Sequence, residues 1–161
     1  MAGDGDGEML EPCRRAASKW GVAYEQQTGN QLYEVEIGPF TYAFDTVLNR
    51  LIYARGHSTV PTGPRDQARQ KGHPRAPEGD HKGHVIAHSI GGGMDMNIVN
   101  QKASVNLGRR WREIEKLAAA NLGTAVAVHL IYEDGSDRPA AFEYGVDDPK
   151  KGFRIERSPN R

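Results

Sequence analysis

The sequence predicts an α+β domain built around a mainly antiparallel sheet, and three observations carry that expectation. Between Gln31 and Phe44 apolar residues recur at every second position, the period of a half-buried strand. Between Trp111 and Gly123 they recur at helical spacing, and the glycine is placed to stop the helix. From Ala125 to Tyr144 two further strand-like runs flank the turn signal Asp134-Gly135. Strands, a long loop, a strand at a histidine cluster, a helix and a hairpin, in that order, make an α+β pattern.

The elements can be justified from the N-terminus onward. Residues 1–30 are polar, with Pro12 to Gln26 a helix candidate carrying Trp20 and Tyr24, and read as an extension or linker: a tag, a linker or a strap. The folded domain is expected over 31–161. Tyr33, Val35 and Ile37 alternate with Glu34 and Glu36. Gly38-Pro39 turns, and Phe40, Tyr42 and Phe44 alternate again, so a β-hairpin with one buried face is expected. A third strand is expected around Leu51 to Ala54. Gly56 to Gly79 is rich in proline, glycine and basic residues, and loops of this length are usually functional or disordered. Trp111, Ile114, Leu117 and Ala118 lie on one helical stripe, followed by a strand from Ala125 to Tyr132 and a returning strand from Ala140 to Tyr144.

Length and charge limit the function. A chain of 161 residues is one domain by prior and long enough to bury a core. The 21 Lys+Arg balance 21 Asp+Glu, which argues against a polybasic nucleic-acid wrapper. The charges are unevenly spread, however. Arg50, Arg55, Arg65, Arg69, Lys71 and Arg75 stand against Asp66 alone between Asn49 and Ala76, while acids crowd both ends of the chain. Such asymmetry allows one basic face for a polyanion, or simply solvated surface runs. The single cysteine, Cys13, cannot form an intramolecular disulfide and reads as a bystander thiol. No apolar run is long enough to span a membrane, and the acidic, glycine-rich start is unlike a signal peptide.

The chemistry concentrates in Gly79 to Gly92, G-D-H-K-G-H-V-I-A-H-S-I-G-G. A closed zinc site would want cysteines at short spacing, and only histidines are present, so that class is excluded. A hard cation is different, since magnesium keeps most of its waters and needs one or two protein oxygens when phosphates supply the rest. Asn97, Asn100, Gln101 and Asn106 are candidates, although taken singly each amide is better explained by caps and loop backbone.

Taken together, this run, then N-I-V-N-Q, then N-L-G-R-R-W-R-E-I-E, and finally I-Y-E-D-G-S-D-R-P-A-A-F, resemble the DNA/RNA non-specific endonuclease family of the ββα-metal superfamily. Within it they look like the branch found as toxin domains of bacterial polymorphic and secretion-system effectors. The resemblance spans roughly Arg65 to Tyr144 and rests on several motifs in order. It implies a ββα-metal nuclease fold with a metal-bearing helix. Carried over by residue, His84 is the general base that activates water. A neutral imidazole ionising near ~6.5 can take a proton at pH 7 and contributes ~10² to 10⁴ in rate. Asn106 matches the protein ligand for a divalent ion, Mg2+ with Mn2+ as a substitute, and Glu115 the helix glutamate that holds its water.

Two departures matter. One extra residue lies between Asn106 and Trp111, so Glu113 competes with Glu115. At 100° per residue Glu115 lies about 40° around the helix from Trp111 and Glu113 about 200°, which favours Glu115 if Trp111 faces the core. Lys82 stands where many relatives place arginine and loses the two-pronged phosphate grip. Arg65, Arg69, Arg75 or Arg138 could then supply the cation that meets substrate. Asp80 and Gln101 are expected to orient site residues. His88 shares the strand face of His84 and is a substrate contact or packing, while His81 faces the other way.

The resemblance therefore implies a metal-dependent endonuclease for DNA and also RNA, directed to the backbone rather than to bases. It further implies an immunity protein that blocks the site. The chain would be cytoplasmic before export and leave as an effector without a classical signal peptide, to act in a target-cell cytoplasm. Two other readings stay open: an HNH-type DNase using His81, His88 and an asparagine, and a nuclease-like module that binds nucleic acid or a partner without cutting.

Overall fold

The computed structural model describes residues 11–60, 80–84, 98–102, 109–133 and 138–160. In chain order these form helix α1 (Pro12–Thr28), strands β1 (Leu32–Ile37), β2 (Phe40–Asp45), β3 (Arg50–His57), β4 (Asp80–His84) and β5 (Ile98–Lys102), helix α2 (Arg109–Ala120), and strands β6 (Ala125–Ile131), β7 (Ala141–Asp148) and β8 (Gly152–Pro159). Six strands make one antiparallel sheet in the order β1-β2-β3-β6-β7-β8, and β4 pairs with β5 in a separate antiparallel ribbon.

Local chemistry explains each element. The Glu11 carboxylate caps α1 by accepting from the backbone N–H groups of Cys13 and Arg14, both at 2.9 Å, and Pro12 needs no partner in the first turn. Gly29 ends the helix at φ 75. Gly38, at φ 60, takes the first central position of the β1–β2 turn, where a type II′ hairpin demands glycine. The third strand runs on past Ala54 to His57, through a glycine expected to open the loop. The reason is close approach: a Cβ on Gly56 would lie 2.4 Å from the Pro39 carbonyl oxygen and 2.5 Å from Phe40 Cδ1.

The helices cover opposite faces of the sheet. On one face Ile114 and Ala118 of α2 pack into a cluster with Tyr42, Val128, Phe142 and Tyr144. On the other, Cys13 and Ala17 of α1 meet Ala127 and Ile52, and Trp20 packs against the same layer. Small residues on α1 let the helix approach closely, and a Cβ on Gly21 would sit 3.2 Å from the Tyr53 ring. Thus part of the 1–30 segment lies on the sheet. The alternation in β6 divides the layers: Val126, Val128 and Leu130 face α2, while Ala125, Ala127 and His129 face α1.

Buried polar groups fasten this arrangement. Asp45, fully buried, accepts from the Tyr24 hydroxyl, from Asn30 Nδ2 at 3.0 Å, and from the Val47 and Leu48 N–H groups at 2.8 and 3.0 Å. One carboxylate thereby joins the end of α1 to the β2–β3 turn. Burial pushes its pKa up, yet these donors together hold it below the usual carboxylate value.

Two expectations need correction. The alternating apolar row of β1 pairs with the inward row of β2, but Tyr33, Val35 and Ile37 remain 51%, 39% and 47% exposed. The strand is at the sheet edge, and no described element covers that row. The basic run also contributes less surface charge than counted. Arg50 is buried with its guanidinium 4.5 Å from the centre of the Tyr132 ring, and Arg55 lies 3.5 Å from Glu34. Strand β8 adds an edge to the sheet that the expected elements do not include, its alternation limited to Phe153 and Ile155 in a polar run.

On the α1 face, His129 Nδ1 lies 3.0 Å from Glu143 Oε1 of the neighbouring strand, and the Trp20 ring stacks on the imidazole at 4.8 Å and 13°. Burial pushes the His129 pKa below its ordinary 6.5, against the pull of Glu143 and helped by Arg157. The unfolded chain therefore binds this proton more readily than the native one. The stability His129 contributes is present above about pH 6.5 and is lost as the pH falls through that value. Urea unfolding at pH 5 and pH 8 should show a smaller difference for His129→Phe, which keeps a ring on Trp20, than for the parent. Equal differences would contradict the assignment.

Candidate active site

The motif-bearing segment folds as a β–β–α run, with Asp80 to His84 on β4, Ile98 to Lys102 on β5 and Glu115 on α2. Register sorts the ribbon residues. His84 pairs with Ile98, Lys82 with Asn100 and Asp80 with Lys102, whereas His81 pairs with Gln101 and Gly83 with Val99. Residues opposite one another on antiparallel strands share a face, and the period of two separates the sets. Asp80, Lys82, His84, Asn100 and Lys102 occupy one face, and His81 and Gln101 the other. Asp80 is therefore placed with His84, and Gln101 is not. Asn100 is the amide on the His84 face, a distinction that only the register makes visible. His88, Arg65, Arg69, Arg75 and Asn106 lie outside the described residues, as does the Asp134-Gly135 turn.

Ile114 and Ala118 are buried against the sheet, Glu115 is half-buried beside them, and Glu113 is exposed. This is the division that helical periodicity anticipates for the two glutamates. The end of α2 is anchored to β3. Ser58 N–H donates to the Thr124 carbonyl at 2.9 Å, Gly123 N–H donates to the Ser58 carbonyl at 2.8 Å, and Gly123 adopts φ 90 to allow it. Asn121 Nδ2 also donates to the Leu117 carbonyl at 2.9 Å, capping the last turn.

Beneath α2 lies Tyr144, on the inward row of β7 and 1% exposed. Burial pushes its phenol pKa far up, and the charge of Glu115 pushes it further. The sequence signal for Tyr144 was only a tyrosine in an otherwise apolar strand row. Arg138 has a different environment from the one expected of a substrate cation. It is half-buried, and its Nη1 donates to the Asn160 carbonyl at 2.5 Å. Asn160 in turn donates from Nδ2 to Pro139 and from its backbone to Ala140, both at 2.8 Å.

A six-stranded antiparallel sheet with a helix on each face, and a β–β–α run carrying a histidine motif and a half-buried glutamate, define an α+β protein with its candidate chemistry confined to one segment. Residues 23–148 match the family model for DNA/RNA non-specific endonuclease, and the chain belongs to that family. The match extends beyond the motifs, from within α1 to the end of β7. No curated protein matches the chain. Membership supports nuclease activity on nucleic acid.

The unequal burial of the two glutamates gives a direct comparison. Glu115→Gln should reduce plasmid cleavage by about a hundredfold or more, the scale of losing a group that acts in the transition state. Glu113→Gln should stay within about twofold, as for an exposed position away from the chemistry. Initial rates on supercoiled plasmid measure both, and the reverse order would hand the role to Glu113.

Proposed function

We propose that this protein is a divalent-metal-dependent endonuclease that hydrolyses phosphodiester bonds of DNA, and also of RNA, with little sequence preference. The observation that carries the reading is the match to the DNA/RNA non-specific endonuclease model over residues 23–148. The β4–β5–α2 run that bears the motifs supports it. In this reading His84 takes a proton from the attacking water. Asn106 would hold the ion, Mg2+ or in its place Mn2+, and Glu115 would hold its water. When bound, the cation stabilises charge on the scissile phosphate and the departing 3′-oxygen. The donor chemistry fits, because such a cation needs only one or two protein oxygens and keeps most of its waters, which the half-buried Glu115 carboxylate would meet.

Lys82, His88, Arg65, Arg69 and Arg75 are assigned to the substrate backbone. Arg138 is assigned with them, its Nη1 donating to the Asn160 carbonyl. Asp80, on the His84 face, is the better candidate for orienting the base than Gln101. We read 31–161 as the nuclease domain, with residues 1–30 strapped to it through α1.

The setting we propose is antibacterial. A nuclease with little sequence preference endangers its own cell, which favours an effector or toxin domain restrained by an immunity protein. Export and action in a target-cell cytoplasm belong to the same proposal.

Digestion of plasmid and total RNA with magnesium, with EDTA, and with His84→Ala and His81→Ala in magnesium tests the reading. We expect cleavage by the parent only with metal, a loss of ~10² to 10⁴ for His84→Ala, and near-parental rates for His81→Ala. The ribbon places these histidines on opposite faces. Loss with His81→Ala and survival with His84→Ala would select the HNH chemistry. Metal-independent binding without products would select a non-cleaving module.

A further inference from the structure

Arg50 and Arg55 are taken up inside the fold, and the exposed cations gather elsewhere. Arg14, Arg15 and Lys19 stand on the solvent side of α1, Lys150 and Lys151 in the turn after β7, and Arg157 on the edge strand β8. Among the described side chains, Lys116 on α2 is the exposed cation outside this group. Packing and register bring the group together. Cys13 of α1 lies on Ala125 and Ala127 of β6, and Ala127 pairs with Gly145, so α1 begins beside the last residues of β7. There the Asp148 carboxylate accepts from the N–H groups of Lys150 and Lys151 at 2.9 and 3.3 Å and fixes the turn. Arg157 is opposite Glu143, whose carboxylate meets His129 on the α1 face, so Arg157 flanks α1 as well.

Acids do not offset this charge. The exposed carboxylates among the described side chains, Glu34, Glu36, Glu113 and Glu133, lie on β1, on α2 and beyond β6. On α1 itself Glu11 caps the first turn and Glu25 accepts from the Leu32 N–H. Among the described residues none of the gathered cations forms an ion pair. Arg14 and Arg15 also stand near the positive end of the helix dipole, where local stability favours acids. A local rule broken on an exposed face is the mark of a surface kept for a partner.

We infer that the α1–β8 side is a second contact surface for nucleic acid, which it holds by the phosphate backbone away from the cutting site. The choice of polyanion rests on the nuclease reading above. From Gly152 to Arg157 strand β8 runs about 17 Å, the rise of about five base pairs of duplex. Helices α1 and α2 lie on opposite faces of the sheet, so a phosphate held here does not touch Glu115. A long substrate is kept on the protein between cuts, whereas a short duplex gains nothing because it does not reach both faces.

The test measures binding of a labelled duplex of about 30 base pairs, roughly 100 Å long, to the full-length protein in EDTA across a salt series. Arg15→Gln/Lys19→Gln and Lys150→Gln/Lys151→Gln each remove two positive charges. Thr46→Glu/Val47→Glu changes the net charge equally, at exposed positions in the β2–β3 turn near the other end of α1. Each cation that meets a phosphate adds about 0.9 to the slope of log affinity against log salt, so each glutamine pair should lose about 1.8 and the glutamate pair should keep the parental slope. Thermal midpoints check that all four proteins are folded. Equal slopes throughout, or equal losses in the three variants, overturn the inference. Release from phosphatidylserine vesicles by the glutamine pairs, with the duplex slope unchanged, would assign the surface to a membrane and overturn it as well.

Cleavage separates this surface from the proposed function. With magnesium, the glutamine pairs should raise KM for plasmid about tenfold at unchanged kcat, and leave a duplex of about eight base pairs unaffected. A parental KM on plasmid would overturn the tethering. If the parent cuts nothing, the nuclease reading fails while the salt slopes still decide the surface. If it cuts and the slopes agree, the surface alone fails.

Discussion

Ile114 and Ala118, one turn apart on α2, are packed out of water against the inward rows of β6 and β7, and the geometry of the candidate site follows from that contact. Val126, Val128 and Leu130 lie beside Phe142, Tyr144 and Val146, so two neighbouring strands present one continuous apolar surface. Burying a side chain of this size stabilises by about 1.5–3 kcal/mol, enough to fix which way the helix faces. Once Ile114 and Ala118 are inward, Glu113 must be outward and Glu115 must lie at the margin of the core. The helix cannot slide along the sheet, because Gly123 and Thr124 at its end are bonded to Ser58 at the end of β3.

The opposite face is held by different means. Helix α1 contributes small residues to its contact, and their modest apolar area is supplemented by polar fastenings. Asp45 ties the helix end to the β2–β3 turn, Glu25 accepts from the Leu32 N–H at 2.8 Å, and Trp20 stacks on His129. A sheet buried on both faces explains why its central strands carry so few exposed residues. It also explains why the two edge strands behave differently. On β1 and β8 the alternation persists, but Tyr33, Val35, Ile37, Phe153 and Ile155 are all more than a third exposed.

What was legible in the sequence follows from how each element is stabilised. Helix α1, the Gly38 hairpin, helix α2 and strand β6 are set by caps, turn chemistry and periodicity, all written locally. Strand β8 has only a short local signal, Phe153 and Ile155, and is fixed by pairing with β7 across the Asp148 to Gly152 turn. Gly56 reads as a loop signal, yet it is a strand residue demanded by Phe40, sixteen residues earlier. Charge is hidden from a local reading for the same reason. Arg50 and Arg55 look like surface cations until Tyr132 and Glu34 are brought to them by the fold. Within the candidate site, periodicity separates Glu115 from Glu113, but nothing local announces that Tyr144 lies beneath the helix.

The ribbon shows why register matters to chemistry. A motif read along the chain places His81, His84, Asn100 and Gln101 at similar standing, because spacing alone counts residues and ignores which strand opposes which. Pairing of His84 with Ile98 divides them at once. A slip of one residue would exchange the two faces and put Gln101 where Asn100 now lies. Register therefore places Lys82 and Asn100 with His84 on one face, and Gln101 with His81 on the other. The general-base and HNH readings consequently require access from opposite sides of one ribbon. Lys82 and Lys102 favour the first for a polyanion, because period two places both cations on the His84 face and neither on the other.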